Sequence, residues 1–183
     1  MAYKIKIMKN GPYLVTGGIP LFELIIQPTE EGGYVYVQGR TFETGETYAL
    51  CRCGKSRKAP FCDGYHVHGF EGTLRASREP YDTQAVAYEG QNLLLKDQEN
   101  LCALARFCYA GRLDAWSVTE TASTPPQEEL AKRLARECPA GRLVMVDKRT
   151  GQALEPSLNP CIAILQDPEK NCSGPLFVMG GIP

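Results

Sequence analysis

Through the first fifty residues, apolar positions either alternate with polar ones or gather in short runs. YKIKI (3–7) alternates, PYLV and LFELIIQ are brief apolar blocks, and YVYVQG alternates again before TYAL. Period-two patterns between turns predict strands. Asn10-Gly11, Gly17-Gly18 and Gly32-Gly33 supply the turns. From 51 to 69 the apolar periodicity stops, so a loop organised by something other than an apolar face is expected there. AVAYE (85–89) and NLLLK (92–96) read as strands. In QEELAKRLAREC (127–138), Leu130, Leu134 and Cys138 recur every four residues behind Thr124-Pro125-Pro126, which predicts a helix with its N-terminal stop. RLVMVD (142–147) and CIAIL (161–165) read as strands, and DAWSV, around the lone Trp116, looks strand-like with the indole in the core. The fold class expected is α+β: a mostly-β first part, then a small α+β part, joined near residues 76–84.

One stretch occurs twice. GPYLVTGGIP (11–20) returns as GPLFVMGGIP (174–183), with seven of ten positions identical. It reads as a duplicated unit whose second copy stops after its first strand. The two copies are expected in related positions of one β-layer. The tail then either folds back on its own chain or crosses into a neighbour as a homodimer, the arrangement favoured here because a lone terminal strand leaves an open edge.

Composition narrows the function classes. A net charge of −1 argues against a general nucleic-acid or anionic-membrane binder. No apolar stretch approaches the roughly 18 residues of a membrane span. MAYKIKIMKN lacks the apolar segment of a secretory signal. A cytoplasmic setting is expected, where thiols stay reduced, so eight cysteines suggest metal before disulfide.

The cysteines are grouped. CRCGKSRKAPFCDGYH (51–66) holds Cys51, Cys53, Cys62 and one of only two histidines, His66. Structural zinc sites usually pair ligands as C-x2-4-C. Cys51 and Cys53, one residue apart, are cramped around a single small cation and suit one iron of a binuclear cluster better. Cys62 and His66 would hold the other iron, the histidine raising the reduction potential. Gly54 and Gly64 permit turns that aim N–H groups at sulfur. His68 is read as a solvated loop residue. Lys55, Arg57 and Lys58 would surround the site with positive charge and steer an acidic redox partner, or else are ordinary solvated surface residues.

These residues resemble the CDGSH iron-sulfur domains, whose signature is C-x-C-x2-[ST]-x3-P-x-C-D-G-x-H. Cys51, Cys53, Ser56, Pro60, Cys62, Asp63, Gly64 and His66 fill every fixed position, and Tyr65 departs from the usual small residue. The resemblance implies a 2Fe-2S cluster with three cysteine ligands and one histidine, and a free histidine nitrogen near solvent.

A second group is Cys102-x5-Cys108 with a remote Cys138-Pro139. A bacterial ferredoxin run C-x2-C-x2-C, with its middle cysteine replaced, has this spacing, and Ala105 stands at that middle position. Three such thiolates resemble the ligand set of 3Fe-4S ferredoxins, or of a 4Fe-4S cluster with an outside fourth ligand. Residues 103–107 offer no His, Asp or Cys. YEGQNLLL (88–95) through CPAGRL (138–143) resembles a divergent ferredoxin-like domain found beside CDGSH motifs in bacterial proteins. There a second CDGSH motif commonly follows the GGIP stretch, which this chain does not carry. Free cysteines are also good core residues, and Cys138 is in register with Leu130 and Leu134. One cluster per chain is therefore favoured, with Cys102, Cys108 and Cys138 as buried structural thiols. Cys161 and Cys172, without ligand spacing, are expected to pack as apolar residues.

The expected organisation is a CDGSH domain at 1–75, a ferredoxin-like domain at 85–160, and a terminal strand segment at 161–183 that repeats the 11–20 unit. No catalytic constellation is seen, so the chain is not expected to be an enzyme. Electron transfer or cluster handling with an unnamed redox protein is the leading expectation. A redox- or pH-sensing partner binder and a structural zinc-binding module are the alternatives.

Overall fold

The computed structural model describes residues 2–73 and 77–183. The junction expected from residue 76, and the domain boundary at 75, begin outside the described residues. In chain order the first elements are β1 (Lys4–Ile7), β2 (Tyr13–Thr16), β3 (Leu21–Pro28), β4 (Tyr34–Phe42) and β5 (Thr47–Leu50). β6 (Val86–Glu89), β7 (Leu93–Asp97), β8 (Tyr109–Ala110) and β9 (Leu113–Asp114) follow. The helices α1 (Ala115–Thr121) and α2 (Pro125–Arg136) come next, and β10 (Leu143–Asp147), β11 (Gln152–Ala153), β12 (Cys161–Asp167) and β13 (Cys172–Met179) complete the chain. Strands with two helices make an α+β fold, as the patterning suggested.

Three sheets carry the structure. The first has the order β1-β2-β5, the second β13-β12-β3-β4, and the third β11-β10-β7-β6; β8 and β9 form a short ribbon. β12 runs parallel to β3 while the other neighbours are antiparallel. Apolar residues of the first two sheets, Val15, Ile19, Leu21, Leu50, Ile162 and Ile164, make one core. The third sheet makes another with the helices, through Leu93, Leu95, Val118, Ala131, Leu134, Leu143 and Met145.

Gly17 and Gly18 carry the chain from the first sheet into the second with φ of 99° and 67°, a conformation that side chains resist. A Cβ on Gly17 would lie 2.9 Å from the Tyr3 ring. The second copy repeats the device at Gly180 and Gly181, with φ of 77° and 64°. The copies nevertheless do not share a β-layer. The strand of the first is central in the first sheet, where β5 covers its outer side, whereas the strand of the second is an edge of the second sheet. The tail returns to the first sheet on its own chain: the Ile5 N–H donates to the Pro183 carbonyl at 2.8 Å, and Ile182 packs on the shared core.

The helix expected at 127–138 forms over Pro125–Arg136, behind Thr124 and with prolines at its first positions. Gln127 Oε1 accepts from the Thr124 N–H at 3.2 Å, as in a capping box. DAWSV is not a strand. Asp114 caps a helix there by accepting from the Ser117 N–H at 2.7 Å, and Ala115, Val118 and Thr119, three and four residues apart, are buried. Five residues were too few to separate a period of two from one of 3.6. Trp116 lies on this helix, half-buried against the core.

Candidate metal centre

β5 leads directly into the site. Leu50, 1% exposed, anchors the strand end. The chain then leaves through Cys51 and returns beside its own exit. The Cys51 N–H donates to the Pro60 carbonyl and the Cys62 N–H to the Ala49 carbonyl, both at 2.8 Å. Phe61 fastens the return by edge-on contacts with Phe42 and Tyr48, at 5.8 and 6.2 Å. Inside the loop Ser56 Oγ donates to the Phe61 carbonyl at 2.6 Å and accepts from the Lys58 N–H at 3.0 Å. This serine and phenylalanine therefore fix the loop closure that brings Cys62 back to Cys51.

Asp63 organises the second turn. Its carboxylate accepts from the Arg57 and Tyr65 N–H groups at 2.9 and 3.1 Å, and these bonds hold its pKa below the ordinary value. Gly64, at φ 90°, opens a single 3-10 turn at Tyr65–Val67 and donates its N–H to Cys62 Sγ at 3.4 Å. The turn presents His66 Nδ1 3.3 Å from Cys62 Sγ. On the other side Cys51 Sγ and Cys53 Sγ are 3.7 Å apart. Burial works to raise the Cys51 thiol, but the N–H groups of Ser56, Gly54 and Cys53 and the Cys53 thiol outweigh it, and its pKa is lowered.

Among the described residues, no three His, Cys, Asp or Glu side chains are grouped closely enough to hold a single ion. The four expected ligands form two pairs, as two separate irons require. Three soft thiols and an imidazole, with a backbone N–H on one sulfur, are a donor set that fits an iron-sulfur group. Tyr65, the departure from the signature, is 37% exposed and its ring lies 5.1 Å from that of exposed His68, so it does not crowd the ligands. Lys55, Arg57 and Lys58 are all exposed around the loop.

The second cysteine group gathers from three elements. Cys102 follows β7 and a 3-10 turn at Glu99–Leu101, and its Sγ accepts from the Leu104 N–H at 3.4 Å. Leu104 and Arg106 take left-handed φ of 56° and 67°, rare without glycine. Cys108 precedes the β8–β9 ribbon, and Cys138 lies just past α2. Burial pushes the Cys108 thiol up to about 11, and both Cys102 and Cys138 lie close enough to add to the rise. Cys108 and Cys138 pack on the core of the third sheet, but Cys102 is exposed, so the three are not all buried structural thiols. Cys161 is half-buried with its sulfur 4.0 Å from Met179 Sδ, whereas Cys172, on an edge strand, is exposed instead of packed.

Spacing gave no hint of the polar groups around these cysteines. Asp97 is 5% exposed, receives the Arg142 guanidinium in a two-pronged pair at 2.6 and 2.7 Å, and accepts from Trp116 Nε1 at 2.9 Å. Arg106 grips Asp167 at 2.6 and 3.1 Å. A polar Asp at the end of the apolar run NLLLK was the available signal.

Residues 10–67 match the family described as the iron-binding zinc finger of CDGSH type, and residues 88–148 match the divergent 4Fe-4S mono-cluster family. A curated human relative, CDGSH iron-sulfur domain-containing protein 3, mitochondrial, is 42% identical over 43 residues, 24% of this chain. The match spans about a third, 34%, of that relative's length. No solved structure matches. Among the described residues no helix is long and apolar enough to cross a membrane. The closed loop with its paired donors lies inside the span that matches the CDGSH-type model, and Cys102, Cys108 and Cys138 lie inside the span that matches the divergent 4Fe-4S mono-cluster model.

Proposed function

We propose that the chain is an electron carrier whose working centre is a 2Fe-2S cluster held by Cys51, Cys53, Cys62 and His66. The observation that carries this reading is the two-and-two grouping of the ligands, at 3.7 and 3.3 Å, in one closed loop. When bound, the cluster would supply a reversible one-electron site. The chain's own residues do the rest. The Gly64 N–H bonds a ligand sulfur, a contact that favours the reduced, more negative state. Exposed Lys55, Arg57 and Lys58 favour an acidic redox protein as partner. Eight free cysteines suit a reducing compartment such as the cytoplasm.

Iron and sulfide content, visible absorption and a redox titration test this reading. Two irons and two sulfides from this loop, reduced reversibly by one electron, are expected; zinc in their place would reject it. His66→Cys is expected to keep the cluster, lower its potential and make it resistant to mild acid, because protons compete with iron for an imidazole. Unchanged acid lability would remove His66 from the ligand set.

A second reading concerns cluster number. Cys108 and Cys138 pack on the core of the third sheet, Cys102 follows the exit of β7, and the Leu104 N–H bonds the Cys102 sulfur as backbone does around clusters. They fit a second cluster of 3Fe-4S or 4Fe-4S type, against the single cluster favoured from spacing alone. More than two irons per chain, falling to two when all three become Ser, is the expected result. A content of two in both proteins would restore the single-cluster reading.

A further inference from the structure

One guanidinium joins the cysteine side of the first centre to the histidine side. Arg52 stands between Cys51 and Cys53 in sequence, and its side chain reaches two distant segments. Nη1 donates to the Met8 carbonyl at 3.4 Å and Nη2 to the Gly72 carbonyl at 3.2 Å. The guanidinium carbon lies 5.7 Å from the centre of the Tyr13 ring and 5.6 Å from that of Phe70. The fit is close, since a Cβ on Gly72 would collide with Nη1.

Both acceptors belong to segments that border His66. Met8 opens the turn between β1 and β2, and its carbonyl also accepts from the Gly11 N–H at 3.2 Å. Asn10, at φ 48°, accepts from the Gly72 N–H through Oδ1 at 3.2 Å. This turn lies against the imidazole: Gly11 is buried, and a Cβ there would stand 3.9 Å from His66 Nε2. On the other flank the Phe70 N–H donates to the His66 carbonyl at 3.1 Å. The histidine that presents Nδ1 to Cys62 thus turns its second nitrogen to a buried glycine. Closure of the 51–62 loop is already fastened by Ser56 and Phe61, so the Arg52 contacts serve something other than that closure.

We propose that the Asn10-Gly11 turn is a cover over the outer edge of His66 and that Arg52 is the positioning residue that clamps it, holding the imidazole in place as a cluster ligand and slowing its exchange for water. The proposal rests on the three-cysteine, one-histidine reading above. A neutral imidazole is held to iron less by charge than a thiolate is, so it is the ligand whose exchange a cover governs. Residues behind metal ligands typically matter by about 10–100-fold in affinity. Retention of the cluster is what an electron carrier requires.

The full chain, purified without oxygen, provides the test. Arg52→Lys keeps the charge, but an ammonium cannot bridge two carbonyls from between two rings. It is expected to speed iron release to a chelator about tenfold, leave the midpoint potential nearly unmoved, and shift the histidine nitrogen coupling in the paramagnetic resonance of the reduced protein. Amide hydrogen exchange should rise together in peptides holding Gly11 and Gly72 and stay unchanged in the third sheet. Asn10→Gly keeps the left-handed backbone and loses the bond to Gly72, so a smaller change in the same direction is expected. Asn10→Asp, which keeps an acceptor, should stay near wild type. If Arg52→Lys matches wild type in release and exchange while the chain holds two irons, the proposal fails and the cluster reading survives. If iron is absent, or if His66→Ala leaves iron content and release unchanged, the ligand reading fails and takes the proposal with it. A lower melting temperature in Arg52→Lys with no change in release or nitrogen coupling marks Arg52 as structural and overturns the proposal.

Discussion

The two cysteine groups are built in opposite ways. Cys51, Cys53, Cys62 and His66 lie within sixteen residues and are positioned by hydrogen bonds of the same loop, through Ser56, Asp63 and Gly64. Cys102, Cys108 and Cys138 come from a strand exit, a ribbon entry and a helix exit, and converge only because a sheet and two helices pack as they do. A local site can be written as a motif, whereas an assembled one depends on the whole layer around it. Damage to packing should therefore harm the second group far more than the first.

The strongest way to break this contrast is Cys62→Ser. It is expected to abolish the first centre while leaving the melting of the third sheet and its helices unchanged, as followed by iron content and thermal unfolding. Collapse of both regions together would show that the first loop is not self-contained.

Phe107→Ala comes next. Phe107 is 3% exposed and stacks on Tyr36 at 4.0 Å, so truncation is expected to cost about 3–5 kcal/mol. Melting should fall by several degrees, and iron or thiol protection at Cys102 and Cys108 should be lost before that at Cys51. Equal loss at both would erase the distinction.

Removal of Ile182 and Pro183 deletes a half-buried side chain and the bond to Ile5, for about 2 kcal/mol together. This affects the core beneath the first loop, so here the first centre should become the more labile one. A melting temperature equal to that of the full chain would show the tail to be idle.

The smallest effect is a pH dependence. Arg106 beside it lowers the Asp167 pKa below the ordinary carboxylate value. A lowered folded value means stability that is present above about pH 4, the unfolded value, and lost as pH falls through the folded one. Asp167→Asn should flatten that acid limb, and an unchanged limb would assign it to other carboxylates.

The first loop was legible because its candidate ligands and its closure residues are neighbours in sequence. Strand patterning was legible for the same local reason, as was α2 through Leu134 and its Thr-Pro-Pro start. The helix around Trp116 was not, since its buried positions, Ala115, Val118 and Thr119, span barely one turn. The separation of the two GGIP copies into different sheets also escaped, because identical strands can have different neighbours: β5 beside one, open edge beside the other. Arg142 and Asp97 were invisible as a pair, being 45 residues apart and joined only by the pairing of β7 with β10.

The segment from Cys102 to Cys108 is also bolted outward. Phe107 and Ala105 are buried with Ile26 against Tyr34 and Tyr36 of β4, and Arg106 reaches Asp167 at the end of β12. Dissection of the molecule is then constrained. A fragment cut out at residues 85–160 would carry all three cysteines but forfeit every one of these anchors, so its loop would be free to rearrange. Work on the second centre in isolation would be studying a different loop from the one the intact chain holds in place.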